Sequence, residues 1–266
     1  MMSVIKEIRL YGRYIKINLL SGLEYKGWWI MFLHVLFVTV SEPIVIVMMF
    51  NRFGNIGDWT MERILLIYAI AVTSFGLAEC FCRGFDYFPF HMVRGGNFDR
   101  VLLRPKSLFT QVAASFFHIH RIARPVAGMV IIFWTFNRLG ITLDFQNSVM
   151  LILAIFGGIV TYSGVFVMSS GISIFTIGAV DWIYIFTNAS YESTRIPVDH
   201  MPRVLRNLFT FFMPMLVISY FPASAIGGWS GAYWRGWLAL PAGVIFFCAA
   251  MLVWGIGVRH YKSTGS

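Results

Sequence analysis

The sequence predicts an all-α integral membrane protein with about six transmembrane helices in a single domain. The chain has 266 residues, of which 58% are hydrophobic and only 12% are charged. A soluble globular domain carries about a quarter charged residues. Several apolar runs reach the roughly 20 residues that a bilayer span needs. The alternative, a soluble protein with one very large core, does not explain runs of that length.

Composition and motifs also limit the chemistry that the chain can perform. The net charge is +9, but no basic patch interleaved with aromatic residues lies outside the apolar runs, so nucleic-acid binding is a poor interpretation. Cys80, Cys82 and Cys248 do not have zinc-site spacing and are interpreted as small hydrophobic residues. The sequence lacks a P-loop, an H-E-x-x-H motif and a G-x-S-x-G motif. We therefore expect no enzymatic site, no metal and no cofactor bound by this chain.

The N-terminal part, residues 1–27, is predicted to be an interfacial helix. Over residues 4–20, apolar side chains recur every three to four positions, and Lys6, Arg9, Arg13 and Lys16 fall mostly on the other face. This pattern is typical of a helix that lies in the membrane surface. The alternative is a short cytosolic helix that packs on another subunit. The first apolar run begins only near Trp28, so no secretory signal peptide is expected.

The first two spans are predicted over residues 28–50 and 64–82. Trp28 and Trp29 suit the interfacial belt at the start of the first span. The loop between the two spans is short and rich in turn residues. We expect this loop on the outer side.

A polar region at residues 83–124 is predicted to form the first cytoplasmic loop. It carries seven Lys or Arg residues and two acidic ones. Basic residues concentrate in cytoplasmic loops. Its part at 107–124 is expected to be helical and to lead along the interface into a third span that ends near Phe136.

The region 145–180 contains no charged residue and is too long for one span. If a fourth span lies near 148–170 and residues 174–189 do not cross, seventeen Lys and Arg residues lie inside and four outside. If both parts cross, the division becomes thirteen and eight. The positive-inside rule favours the first arrangement. It gives six spans, both termini in the cytoplasm and a second cytoplasmic loop at 191–206.

The last two spans are predicted to start near Asn207 and to cover about 236–258. The fifth carries Pro214 and Pro222. Between these spans, residues 223–235 are small, Gly-rich and aromatic, and we expect them to re-enter the outer leaflet, where protein or water satisfies their backbone.

Acidic residues inside the spans are candidates for function because charges in a membrane are costly. Glu42, next to Pro43, is the deepest of them, and we consider it with Pro214 and Pro222 for a pathway or gating role. The alternative for Glu42 is a solvated residue in an outer vestibule. Glu79 and Asp181 are expected at the interface, each with a basic partner.

Four stretches carry a resemblance to a known family: "RGGNFDRVLLRPKSLFTQV" at 94–112, "LRNLFTFFMPMLVISYFPASAIGG" at 205–228, "RIPVD" at 195–199 and "YKSTGS" at 261–266. They resemble permease subunits of bacterial ABC exporters of the type-2 class, in an uncharacterised permease branch. The pair Asn97–Phe98 departs from the Glu-Leu type pair that is usual in that family. The resemblance extends over essentially the whole chain but does not indicate the cargo.

The resemblance implies that residues 93–105, hereafter the 93–105 segment, contain a coupling helix that contacts an ATPase subunit. Gly95 and Gly96 would interrupt the helical backbone before this coupling helix, and Pro105 would interrupt it afterwards. The other residues that we assign to coupling are Arg94, Asn97, Asp99, Arg100, Leu103 and Arg104. The alternative is an ordinary loop whose arginines set the topology and touch lipid phosphate.

The resemblance also implies the mechanism and the partners. Two permeases would form the pathway in the bacterial cytoplasmic (inner) membrane, and separate ABC ATPase subunits would bind ATP and Mg²⁺. The second permease would be a copy of this chain or a sister permease, with a slight preference for the sister. An amphipathic or hydrophobic cargo suits the aromatic composition. The alternative functions are an ATP-independent channel and an intramembrane lipid-modifying enzyme.

Overall fold

A computed structural model describes residues 2–24, 27–117, 119–176, 192–229 and 232–262. This part of the chain is helical and contains no β-strand. Its long helices are α1 (Met2–Glu24), α2 (Trp28–Phe53), α3 (Met61–Phe88), α6 (Ala123–Leu139), α7 (Phe145–Thr176) and α11 (Ala239–His260). Its short ones are α4 (Phe98–Leu102), α5 (Leu108–Ala113), α8 (Arg203–Asn207), α9 (Met215–Ile218) and α10 (Tyr220–Ile226).

Within the described residues, four helical segments are long and apolar enough to cross a membrane: Trp28–Phe53, Met61–Arg94, Phe145–Thr176 and Tyr233–His260. The helical pair Arg203–Phe212 and Met215–Ile226 is bent by 71° and is either a broken span or a re-entrant loop. Helix α6 has 17 residues, which is near the lower limit for a span. The prediction of an all-α integral membrane protein is therefore confirmed.

Helix α3 lies at the centre of the bundle, with α6 and α7 packed against it. Nearly all of its side chains from Ile64 to Gly76 are buried. Small residues allow the neighbours to approach closely. A Cβ added at Gly128 of α6 would lie 3.1 Å from the Thr73 backbone nitrogen, and one at Gly76 of α3 would lie 3.0 Å from the Pro125 nitrogen. Such contacts are typical of helix packing in membranes.

Helices α7 and α11 run parallel in close contact along most of α11. Glycines line this contact on both helices: Gly157 faces Ala239 at one end, and Gly171 faces Trp254 and Gly257 at the other. Without side chains at these points the two backbones approach each other directly. The pair joins the two ends of the bundle.

The bundle has two ends, which we name by their residues. The proximal end contains the 93–105 segment, where Phe98 packs on Tyr261 just after α11, with ring centroids 4.8 Å apart. The distal end contains residues 51–60, between α2 and α3. Helix α1 lies at the proximal end, because its Tyr11 hydroxyl donates to the Phe81 carbonyl at 2.6 Å.

Residues 192–200 lie at the distal end, which corrects the predicted topology. Arg195 forms an ion pair with Glu42 at 3.2 Å, and Trp59 Nε1 donates to Asp199 at 3.0 Å. The prediction placed 191–206 on the same side as 83–124, whereas the structure places 192–200 at the end opposite the 93–105 segment. The error lies in the predicted fifth span: Trp59 at the distal end contacts both Asp199, before that span, and the ring of Tyr220, within it, so the chain does not cross between them. Most of the segment 174–189, which was predicted not to cross the membrane, lies outside the described residues.

Several helix boundaries also differ from the prediction. Helix α3 and the π-helix Pro89–Arg94 extend the second span well beyond residue 82. The segment 107–124 is not one helix: α5 ends at Ala113, and a 3-10 helix covers Ile119–Ile122.

The predicted fifth span is broken. A π-helix, Leu208–Phe212, ends just before Pro214, and α9 begins after that proline. Pro214 has no backbone N–H to continue the preceding helix. The bend of 71° therefore lies here, upstream of the predicted re-entrant residues 223–235.

Candidate functional site

The 93–105 segment is anchored to the bundle through one buried aromatic side chain. Phe98, the first residue of α4, is fully buried. Its ring contacts Phe88 of α3 at 4.9 Å, Tyr261 at 4.8 Å and Trp254 of α11 at 6.3 Å between centroids. Val101, one turn later in α4, is also buried. Helix α4 is therefore fixed to the ends of α3 and α11 at the same time.

Breaks in the backbone flank this short helix on both sides. Gly96 has a φ of +63°, which favours glycine. Gly95 leaves no room for a side chain, since an added Cβ would lie 2.6 Å from the His91 carbonyl oxygen. The Asn97 side-chain amide donates to the same oxygen at 3.0 Å and closes the turn. On the other side, α4 ends at Leu102, and Pro105 lies in the following turn.

The opposite face of the segment is exposed and combines cationic and apolar side chains. Leu103 is 85% exposed. Arg94, Arg100, Arg104 and Pro105 are also exposed, and Asp99 is half-buried. A short anchored helix thus presents charged and apolar side chains side by side at the surface. Such a surface suits contact with a charged partner.

Helix α1 supports the segment from the side. Arg104 donates to the Tyr14 hydroxyl at 3.2 Å, and Asn18 donates to the Ala114 carbonyl, just after α5, at 2.9 Å. Burial raises the pKa of the Tyr11 hydroxyl, which keeps it protonated as the donor to Phe81. The N-terminal helix therefore contacts both flanks of the region that contains the exposed face.

Glu42 lies in a second polar group at the distal end. The Tyr68 hydroxyl donates to Glu42 at 2.7 Å, and Arg195 pairs with the same carboxylate oxygen while its guanidinium lies over the Tyr68 ring. The Glu42 side chain is 14% exposed. These contacts tie residues 192–195 to α2 and α3. Pro214, at the break, and buried Pro222, in α10, are not among the recorded partners of Glu42.

The comparison with protein families identifies the fold family. Residues 36–265 match the family model described as "ABC-2 family transporter protein". The chain belongs to the ABC-2 transporter family. No match was found among curated proteins or among solved structures. The protein is thus a membrane permease of an ABC transporter, a class that works with ABC ATPase partners.

The permease also buries a charged cluster where α3 meets the start of α6, hereafter the Glu79 cluster (Glu79, Arg83, Asp86, Arg121 and Arg124). The Glu79 side chain is 1% exposed and accepts from three arginines: Arg83, Arg121 at 3.2 Å and Arg124 at 2.7 Å. Arg83 also pairs with Asp86 at 3.3 Å. The expected basic partner of Glu79 is confirmed, with three partners in place of one. Asp181 lies outside the described residues.

Two features of the permease were not predicted from the sequence. Phe98 was noted only as a departure from the family pattern, although its burial makes it the anchor of α4. The contacts of Arg121 and Arg124 with Glu79 join residues more than forty positions apart. The sequence did contain a signal for the contacts of Arg121 and Arg124, because charged residues at the start of a span require a partner.

Proposed function

We propose that this permease forms the translocation pathway of an ATP-driven exporter together with a second permease. In this proposal the 93–105 segment contacts an ABC ATPase subunit, which binds ATP and Mg²⁺. The observation that supports it is the exposed face with Arg100, Leu103 and Arg104 on an element that Phe98 fixes to two long helices. A force applied to that face is transmitted to α3 and α11 through packed side chains.

The mechanism follows from a two-state switch. ATP-driven dimerisation of the ATPases moves the two attached segments, and hydrolysis releases them. Each ATPase state then favours one arrangement of the spans. The strength of this preference equals the difference between the free energies with which the ATPases bind the two arrangements. The second permease is a copy of this chain or a sister permease.

Charge distribution supports an orientation with the proximal end and both termini in the cytoplasm. Thirteen described Lys and Arg residues belong to segments at or near the proximal end: Lys6, Arg9, Arg13, Lys16, Arg83, Arg94, Arg100, Arg104, Lys106, Arg121, Arg124, Arg259 and Lys262. Seven belong to segments at or near the distal end: Arg52, Arg63, Arg138, Arg195, Arg203, Arg206 and Arg235. The positive-inside rule therefore still holds after the correction to residues 192–200. We propose the bacterial inner membrane as the location.

Capture of the partner tests this proposal. The affinity-tagged permease is solubilised from the membranes of its host, and co-purifying proteins are identified by mass spectrometry. We expect a P-loop ATPase with the unmodified permease. In Asp99→Ala/Arg100→Ala we expect about tenfold less ATPase, or ATP hydrolysis that no longer depends on the permease, because charged contacts at the centre of an interface contribute strongly.

Arg138→Ala is the matched control, because Arg138 is an exposed arginine at the distal end of α6. It should capture as much ATPase as the unmodified permease. A related permease among the captured proteins would identify a sister partner, and its absence a copy of this chain. If no ATPase accompanies the unmodified permease, the exporter proposal fails, and Glu42 becomes the next residue to test.

A further inference from the structure

A short helix at the distal end, formed by α8 and the π-helix Leu208–Phe212, does not cross the membrane. Each part has five residues, so this helix, hereafter the 203–212 helix, is about 15 Å long, roughly half the hydrocarbon thickness of a bilayer. Trp59 contacts the chain on both sides of it, through Asp199 at 3.0 Å and through the ring of Tyr220 at 5.9 Å between centroids. The 203–212 helix therefore begins and ends at the same end of the bundle.

Aromatic residues indicate that this end of the bundle lies at the membrane interface. Trp59 comes just before α3, and the guanidinium of Arg63, in the first turn of α3, lies over the Trp229 ring at 5.1 Å. Trp234, at the start of the last span, is 62% exposed. Tryptophan concentrates where spans meet the lipid headgroups. The 203–212 helix, whose two ends are tied to Trp59, is therefore close to headgroup depth.

The side chains of the 203–212 helix point in three directions. Phe209 is buried and belongs to the hydrophobic core of the bundle. At 3.6 residues per turn, Arg203 and Arg206 share a second side, whereas Val204 and Phe212 lie on a third. Val204 is 79% exposed and Phe212 is 62% exposed. One side thus holds the bundle, one is cationic and one is apolar and open, which is the pattern of a helix that lies in a membrane surface.

The two arginines of this helix are available to an anion. Within the part of the chain that the structure describes, neither guanidinium takes part in an ion pair. Residues 200–266 contain no aspartate or glutamate. Arginine keeps its charge in proteins, and its guanidinium matches the geometry of phosphate. A phosphate on one side and hydrocarbon on the neighbouring side are what a lipid surface supplies together.

We propose that the 203–212 helix lies in the plane of the membrane at the distal end and binds phospholipid there. Arg203 and Arg206 contact lipid phosphates, and Val204 and Phe212 enter the acyl region beside the bundle. The bend of 71° after Phe212 separates this surface helix from α9 and α10, which are largely buried. The lipid contact lies at the end opposite the 93–105 segment, so it does not depend on the proposed coupling role.

Depth-dependent fluorescence quenching in the full chain tests this placement. In a background without the three native cysteines, the fluorophore NBD is attached to Phe212→Cys or to Thr210→Cys, and the permease is reconstituted in vesicles of phosphatidylcholine and phosphatidylglycerol. Thr210 lies on the cationic side, because its hydroxyl donates to the Arg206 carbonyl at 2.7 Å. We expect phosphatidylcholine that is spin-labelled near the headgroup to quench NBD at Phe212→Cys, and aqueous iodide to quench it at Thr210→Cys.

Val130→Cys is the control for depth. Val130 is 62% exposed and lies in the middle of α6. NBD at this position should be quenched most strongly by a spin label near the end of the acyl chain.

Charge reversal tests the phosphate contact separately. Arg203→Glu/Arg206→Glu should raise iodide quenching at Phe212→Cys toward the level found at Thr210→Cys, and more so in vesicles that contain phosphatidylglycerol, because like charges repel the helix from the surface. Arg138→Glu is the matched control, since Arg138 is an exposed arginine at the distal end of α6. It should leave the quenching at Phe212→Cys unchanged.

Three results would overturn the proposal. The first is equal iodide quenching at Phe212→Cys and Thr210→Cys, which would put both sides of the helix in water. The second is protection of Phe212→Cys from both iodide and spin-labelled lipid, which would assign the apolar side to a second permease. The third is unchanged quenching after charge reversal. If the charge-reversed chain does not fold, the comparison of Phe212→Cys with Thr210→Cys still decides.

Discussion

At the scale of single residues, Phe98 joins an exposed segment to the helix bundle. It is the only fully buried member of α4, and its ring is shared between α3 and the end of α11. Leu103, five residues later, is 85% exposed. The two side chains are both apolar, but one stabilises the fold and the other is available to a partner.

Substitution of these two residues should therefore have opposite effects. Phe98→Ala leaves a cavity among Phe88, Trp254 and Tyr261, and we expect it to lower the free energy of unfolding by about 3–5 kcal/mol. Leu103→Ala should leave stability unchanged, because it removes no packed contact, and should reduce ATPase capture. Thermal unfolding in detergent and the capture assay measure the two effects. Equal unfolding temperatures for both variants would contradict the anchoring role.

The sequence predicted the polar character of this region but not its anchor. Gly95, Gly96 and Pro105 indicated breaks because their backbone chemistry is local, and the structure has a short helix between them. Phe98 could not be distinguished from other aromatic residues in a chain with 26 phenylalanines. Its burial depends on Tyr261, which is distant in sequence. The Glu79 cluster was missed in part for the same reason.

At the scale of elements, the contact between α7 and α11 depends on glycines that face each other across it. An added Cβ at Gly257 would lie 2.7 Å from the Gly171 carbonyl oxygen, which is backbone and cannot move aside. Gly255, on the same helix, has no atom within 4 Å of that position. Gly257 therefore permits the close packing of the helices, whereas Gly255 takes no part in this contact.

A pair of alanine substitutions tests this packing. Gly257→Ala must separate the two helices, and we expect it to cost about 1–3 kcal/mol of stability. Gly255→Ala should be neutral or stabilise the helix by about 0.5–1 kcal/mol, because alanine is the better helix former. Both effects are measured by thermal unfolding in the same detergent. A larger loss in Gly255→Ala than in Gly257→Ala would exclude the close contact.

Helix positions were predictable where an apolar run is bounded by polar residues, as for α2 and α11. They were not predictable where backbone chemistry interrupts an apolar run. Pro214 breaks the predicted fifth span, and the chain bends by 71° there. Hydrophobicity reports whether a segment can enter a membrane, but it does not report whether the segment crosses or turns back.

At the scale of the whole molecule, basic residues are distributed unequally between the two ends of the bundle. Most basic residues lie at the proximal end. At the distal end, Arg195 is held by Glu42 and Glu192, and Asp199 accepts from Trp59. The segment between Asp199 and Tyr220 begins and ends beside Trp59, so it does not cross the membrane. A count that treated this segment as part of a crossing span therefore placed 191–206 at the wrong end.

Cysteine labelling in intact cells tests this arrangement directly. In a background without Cys80, Cys82 and Cys248, single cysteines are introduced as Asn55→Cys, His200→Cys and Leu103→Cys, all at exposed positions. We expect a membrane-impermeant maleimide to label the first two in intact cells, because residues 51–60 and 192–200 share the distal end. Leu103→Cys should be labelled only in inside-out vesicles. Labelling of His200→Cys together with Leu103→Cys, and not with Asn55→Cys, would contradict the pairing of Arg195 with Glu42 and restore the topology predicted from charge alone.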